Sequence, residues 1–391
     1  MKTQRIGITW QITDLHGWGI FGLNVAMELV RHGPVPPLII TQPYIAAPTP
    51  RINRLLGPYL KEQPSVLSQI EATPGCAILT EAVLLHSLGN AFMHSPISEK
   101  VRGHTNIGVI FFEDGNLDED AIKRARTYDK IIAGSGWNRD VANQHGLENA
   151  VFVSQGVDLE RFKPRTKVGT FADRFVVFSG GKLELRKAQD IVLVAFKQFH
   201  ERHPDALLLS NWHNNWPTTY ANMSLSPHCQ TSPETNPDGS VNLIKWTNEL
   251  GLPEGSHMDI GAVPNAHLPQ IIAETDVALF PNRCEGGTNL VAMETMASGI
   301  PCILSANSGH LDIITSDNCY ALNRQTVTPS EMDPSGIWRD SDVDEIVEAL
   351  EAAYSDRAEA QRRAQAGVQF MQGLSWENQT QALISEISEF L

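Results

Sequence analysis

The sequence of 391 residues predicts an α/β protein built from two doubly wound parallel sheets. Three observations carry that expectation. Short apolar runs alternate with amphipathic stretches, as strand–helix–strand units do. Glycine pairs or runs follow apolar strands at three places, near Gly17, at Gly180-Gly181 and at Gly286-Gly287. The charge is also divided. Residues 1–165 hold 16 basic and 16 acidic side chains, so the remainder holds the whole net charge of −15. Unequal halves suit two domains, and the polar stretch Arg165–Thr170 marks their boundary.

In chain order, Arg5–Trp10 reads as the first buried strand. A glycine-rich loop with Gly17, Gly19 and Gly22 follows, then a helical stretch over Leu23–Val30. The letters G-x-G-x-x-G are present, but a dinucleotide site also wants an acid after the second strand, and Pro37–Gln42 ends without one. We therefore expect Gly17, Trp18 and Gly19 to form a loop over a cleft. Strands are expected at Ala77–Thr80 with Ala82–His86, Asn106–Phe112, Lys130–Ser135 and Ala150–Gln155, and helices near Leu117–Arg126 and Trp137–His145. Ligands of such sheets bind beyond the carboxyl ends of strands. That rule nominates His86, the pair Glu113 and Asp114, and Ser135 with Trp137.

The second domain opens with a strand, Phe175–Gly181, then a basic turn carrying Lys182, Arg186 and Lys187, then a helix over Ile191–His200. After Ala206–Asn211 a polar run to Ser240 reads as a cleft lid or a disordered loop, with Trp212, His213 and Trp216 as sugar-lining residues or a hydrophobic latch. His257–Pro264 reads as strand then turn. Next come a strand, Asp276–Phe280, the turn Gly286-Gly287, a helix with Leu290, Met293 and Ala297 at helical spacing, and a strand, Ile300–Ser305. Ser341–Tyr354 and Arg357–Met371 look like amphipathic helices, and Ser375 is placed to cap a last one.

Glycines before a helix let a ligand approach the backbone, and the helix start offers free N–H groups and a partial positive charge. That suits phosphate. Glu285 at the mouth of the turn and Glu294 inside the helix suit ligand hydroxyls, whose protons carboxylates accept. Phosphate with hydroxyls reads as a nucleotide sugar.

The run Glu285-Gly-Gly-Thr-Asn-Leu-Val-Ala-Met-Glu294, followed by Met296-Ala-Ser-Gly-Ile-Pro301, resembles the C-terminal signature of the family 4 glycosyltransferases. That family has the GT-B fold, two Rossmann-like domains facing a central cleft. Gln155–Pro164 resembles its inter-domain segment, and Phe175–Asp190 its donor-phosphate element. The resemblance implies an acceptor-side domain at 1–165, a nucleotide-sugar domain at 166–374, and a final helix, 375–391, that crosses back to the first.

The resemblance also implies roles. Glu285 contacts the transferred sugar, Glu294 the ribose, and the amides of Gly286 and Gly287, with Thr288, Asn289 and Leu290, hold the diphosphate. Lys182 and Lys187, with Arg186 as the alternative and Gly180 and Gly181 before them, stabilise the leaving diphosphate. The turn at Val263 meets the base through its backbone. Relatives often carry a histidine where this chain has Glu113-Asp114, so one of these is expected to contact an acceptor or donor hydroxyl, against a plain turn. Asp312 stands where relatives have the acid of Gly-Gly-x-x-Glu. The two glutamates are separated by eight residues, where the family pattern has seven.

The implied activity is retaining transfer from a UDP- or GDP-linked sugar to a hydroxyl acceptor, with no metal and no resident cofactor. A GT-B nucleotide-sugar epimerase and a non-catalytic nucleotide-sugar-binding protein are the alternatives. The net charge argues against nucleic acid, and the neutral first half gives at most weak peripheral membrane contact. Five scattered cysteines, no signal-peptide pattern and no long apolar run lead us to expect a cytoplasmic protein. Asp118-Glu119-Asp120 and Asp342-Val343-Asp344 have D-x-D letters but read as helix starts, where acids favour the dipole.

Overall fold

The computed structural model describes residues 4–214, 217–237 and 239–391. It contains two six-stranded sheets and a two-stranded hairpin among those residues. The first sheet runs β1 (Arg5–Ile8), β2 (Pro37–Ile39), β3 (Ala77–Leu88), β4 (Val101–Ile110), β5 (Lys130–Ala133) and β6 (Ala150–Phe152), in the order β2-β1-β3-β4-β5-β6. All its pairings are parallel. The second holds β7 (Phe175–Lys182), β8 (Ala206–His213), β9 (His257–Asp259), β10 (Val277–Phe280), β11 (Cys302–Ser305) and β12 (Tyr320–Leu322), in the order β12-β11-β10-β7-β8-β9, again parallel. The strand order reverses between β1 and β3, and between β7 and β10. Those reversals are where a doubly wound sheet leaves a crevice for ligand.

The strands are near-continuous apolar runs because helices cover both faces. Val176, Val177, Phe178 and all four residues of β10 are buried. Asp118 and Asp342 each accept a backbone N–H as helix N-caps, so both are helix starts as expected. Ser375 caps the helix Trp376–Ile387, which packs on the helix Gly17–His32 of the first half, with Trp376 against Phe21. Where the chain crosses between halves, Val157 and Ser375 lie side by side, and Val157 N–H donates to Leu374 O at 2.8 Å.

Three expectations about elements change. The glycine run at Gly17 is not a loop: the helix begins at Gly17, with His16 as its cap. A Cβ on Gly19 would lie 2.0 Å from Thr13 Cγ2, and one on Gly22 2.5 Å from Trp10 Nε1. These glycines let the helix press onto the strand end. The described residues of the run, 212–214, 217–237 and 239–240, form a packed excursion. Trp212, Tyr220, Met223 and Cys229 are buried in the second core, so the latch reading fits Trp212; Trp216 lies outside the described residues. Finally, a hairpin that local periodicity did not reveal, β13 (Gln325–Val327) with β14 (Arg339–Ser341), leaves the second sheet.

Candidate active site

The basic turn and the glycine turn meet because β7 and β10 are neighbours at the switch point. Backbone and side chains then bind them together. Arg283 N–H donates to Arg186 O at 2.8 Å, Arg186 Nη1 to Cys284 O at 2.6 Å, and Arg283 Nη1 to Leu185 O at 2.6 Å. At their junction Lys187 Nζ donates to Glu285 Oε1 at 2.5 Å. Arg186 lies 3.3 Å from Glu285 Oε2 and 3.3 Å from Glu113 Oε1, and also pairs with Glu184. Asn282 donates to Glu285 as well.

Burial alone pushes the Glu285 carboxyl up, but Lys187 and Arg186 outweigh it and hold it at about 2. Glu285 is therefore a carboxylate. Lys182 is the more open cation: its side chain keeps 42% of its exposure, against 12% for Lys187, and sits 3.5 Å from Glu184.

The turn's geometry depends on Asn289. It caps the helix Leu290–Ala297 from the left-handed region, at φ +59°, which asparagine tolerates better than most residues. Its Nδ2 donates to His310 Nε2 at 3.0 Å, so the proton of His310 sits on Nδ1, facing Ser305 Oγ at 3.0 Å. Burial lowers His310 to about 4, which keeps it neutral. Glu294 is 4% exposed and accepts from Asn265 Nδ2 at 2.6 Å. Burial raises its carboxyl to about 8, with the Asn265 bond opposing.

Beneath the site Arg283 is completely buried. It forks onto Asp190 at 2.7 and 2.8 Å and reaches Asp340 at 2.5 Å with Nε. Sequence reasoning missed Arg283, His310 and Asn265. Their partners lie far away in the chain, and only an arginine just beyond the apolar strand Val277–Phe280 could have drawn attention.

The first half closes over the glycine turn. Ser135 Oγ donates to Gly286 O at 2.8 Å, and Gly136 N–H donates to Asp312 Oδ2 at 2.8 Å. A Cβ on Gly286 would lie 2.4 Å from Phe111 O, and one on Gly287 2.8 Å from Gln155 Oε1. Gly17 faces Leu290, whose Cδ1 would be 3.8 Å from a Cβ there. Trp18 packs its ring on Phe111, with the centroids 4.7 Å apart.

Several nominated residues serve packing instead. His86 is wholly buried, bonded to Asn106 and tilted against Tyr128, and burial lowers it to about 4; it is a core histidine, not a cleft residue. Trp137 packs on Phe112 at 5.5 Å, and Ser135 also caps its own helix. Asp114 accepts from Asn116 N–H and forms a turn, whereas Glu113 reaches Arg186. Gly180 gives Val291 room, and Val263 is half-buried against the first core.

Residues 265–383 match a family model described as family 4 glycosyltransferases in conflict systems. A GDP-mannose-dependent alpha-(1-6)-phosphatidylinositol dimannoside mannosyltransferase of Mycobacterium tuberculosis is 24% identical over 204 residues, covering 50% of this chain and 46% of that protein. The chain thus matches about half the length of this relative. Sucrose-phosphate synthase from Thermosynechococcus elongatus superposes with a TM-score of 0.65 at 15% identity, covering 99% of both chains. The fold is GT-B. Anabaena HepE in complex with UDP-glucose matches this GT-B protein with a TM-score of 0.65 at 13% identity, over 98% and 99% of the two chains. No helix among the described residues of this GT-B protein is long and apolar enough to cross a membrane.

Proposed function

We propose that this GT-B protein is a retaining glycosyltransferase that moves a sugar from a UDP- or GDP-linked donor to a hydroxyl acceptor. The observation that carries the reading is the junction at Lys187 and Glu285, where a cationic turn and a glycine turn converge on the carboxyl ends of β7 and β10. The named mannosyltransferase relative and the UDP-glucose complex of HepE support a nucleotide-sugar donor.

In this reading the donor diphosphate lies against the glycine turn. Lys182, Lys187 and Arg186 balance the negative charge that develops as the bond from C1 to the diphosphate oxygen breaks. Glu294 accepts from the ribose hydroxyls and Glu285 from the transferred sugar. The acceptor hydroxyl attacks C1 from the side the diphosphate leaves, and its proton passes to a diphosphate oxygen. Glu113, at the rim beside Arg186, contacts the acceptor. With three cations at the leaving group, the reaction needs no metal ion, a point that assay in excess chelator checks directly. Closure of the first half keeps water from the donor.

The test is thermal unfolding with UDP, GDP and their sugars, followed by product analysis. A ligand of the folded state raises the melting temperature by mass action. Stabilisation by one nucleotide, and an α-linked product from an α-linked donor, would support the reading. No shift at millimolar nucleotide would defeat it.

A further inference from the structure

The connection of the hairpin β13–β14 reaches from the second half to the Glu113 loop of the first. Its outward arm ends in a turn organised by Asp333, which accepts from Ser335 N–H at 3.0 Å and from Trp338 N–H at 2.7 Å. That turn aims the Trp338 indole across the cleft, where Nε1 donates to the backbone oxygen of Glu113 at 2.9 Å. Ile337 beside it fills the space over Gly115, with Cγ2 3.2 Å from where a Cβ would be. On the first-half side, Asn90 Oδ1 accepts from Glu113 N–H at 2.9 Å. Glu113 is thus held by its backbone on both sides, and only its carboxylate is left to turn toward Arg186.

The root of the hairpin is equally fixed. Arg339 N–H donates to Arg283 O at 3.0 Å, and Asp340 takes the Nε of Arg283. Arg283 is the residue that also binds Asp190 and Leu185 O beneath the basic turn. A continuous run of contacts therefore leads from the basic turn through Arg283 to Trp338 and Glu113, and returns through Arg186.

We propose that Trp338 is a positioning residue: through its hydrogen bond to Glu113 O it sets the acceptor-side carboxylate against the leaving-group cations. The proposal rests on the transferase reading above. It assigns the hairpin to acceptor handling, not to donor binding, because the indole hydrogen bond of Trp338 goes to the Glu113 loop.

Trp338→Phe removes the N–H and keeps a ring. Two readouts test it in the full chain. Hydrogen exchange over residues 112–117 should quicken roughly five-fold, the scale of one lost hydrogen bond. With UDP-glucose and GDP-mannose as probes, donor KM should stay within about two-fold while kcat for transfer to a panel of hydroxyl acceptors falls about ten-fold. Its melting temperature without ligand, compared with wild type, shows that the variant is folded. Unchanged exchange or unchanged kcat in a working enzyme overturns the role of Trp338 alone. Absence of nucleotide release from either donor by the wild-type protein would overturn the transferase reading, and this one with it. A variant that does not fold is replaced by Asp333→Asn, which loosens the turn carrying Trp338 and leaves the indole in place; it should show the same split between KM and kcat.

Discussion

Lys187 and Glu285 form a buried ion pair at 2.5 Å, joining two turns that lie almost one hundred residues apart in the chain. Neither charge is free before a ligand arrives. In the proposed reaction a diphosphate entering this site would compete with Glu285 for Lys187, and the released carboxylate would turn to the sugar hydroxyls.

Removing Lys187 leaves Glu285 buried with Arg186 and Asn282 as its remaining close partners among the described residues. We expect Lys187→Ala to lose about 3 kcal/mol of stability, in the range for breaking a buried pair, and to lose the nucleotide-induced rise in melting temperature. Chemical denaturation and thermal unfolding with UDP or GDP measure the two effects separately. An unchanged nucleotide response would remove Lys187 from the donor site.

Glu294 gives a pH signature. Its folded carboxyl is raised to about 8, above its unfolded value, so the folded state holds a proton that the unfolded state has lost. That contribution is present at acid pH and fades as the pH climbs through 8. Glu294→Gln should therefore gain stability relative to wild type as pH rises from 5 to 8, and should bind nucleotide more weakly. A difference in stability that does not vary with pH would show the carboxyl to be ionised throughout.

At Gly286 the turn and the first half nearly touch. A methyl group there meets Phe111 O at 2.4 Å, so Gly286→Ala should hold the halves apart. Small-angle scattering should report a larger radius of gyration for the variant, with activity falling although Lys187 and Glu285 remain. An identical radius would mean that the backbone of residues 111–112 yields.

Arg283 makes the strongest stability prediction. Arg283→Met leaves Asp190 buried without its partner, at a cost of about 3–5 kcal/mol. Replacing both, as Arg283→Met with Asp190→Leu, should recover much of that loss, since an apolar pair avoids the desolvation of two charges. Denaturation midpoints of the single and double variants decide it.

What the sequence made legible was local. The apolar runs around Gly286-Gly287 and before Lys182 are strands, and the helix after Asn289 begins where the glycine turn implied. Local letters did not separate a glycine needed by a ligand from one needed by a neighbour. Gly19 looked like part of a cleft loop and Gly22 like the end of the same glycine-rich run, but they are small because Thr13 and Trp10 press on them. His86 looked like a strand-end ligand, yet Tyr128 and Asn106 enclose it. Asn265, His310 and Trp338 were invisible because each acts through a partner 21 to 225 residues away.

The two crossings between the halves, at Val157 and at Ser375, carry a consequence for synthesis. The first sheet is complete once residue 152 has left the ribosome, yet the helix Trp376–Ile387 that covers the face around Phe21 follows the whole second sheet in the chain. A nascent first half therefore waits through the translation of the entire second half with that apolar face open. A chain cut just before Trp376 would keep both sheets and still present the apolar face that a holdase chaperone recognises.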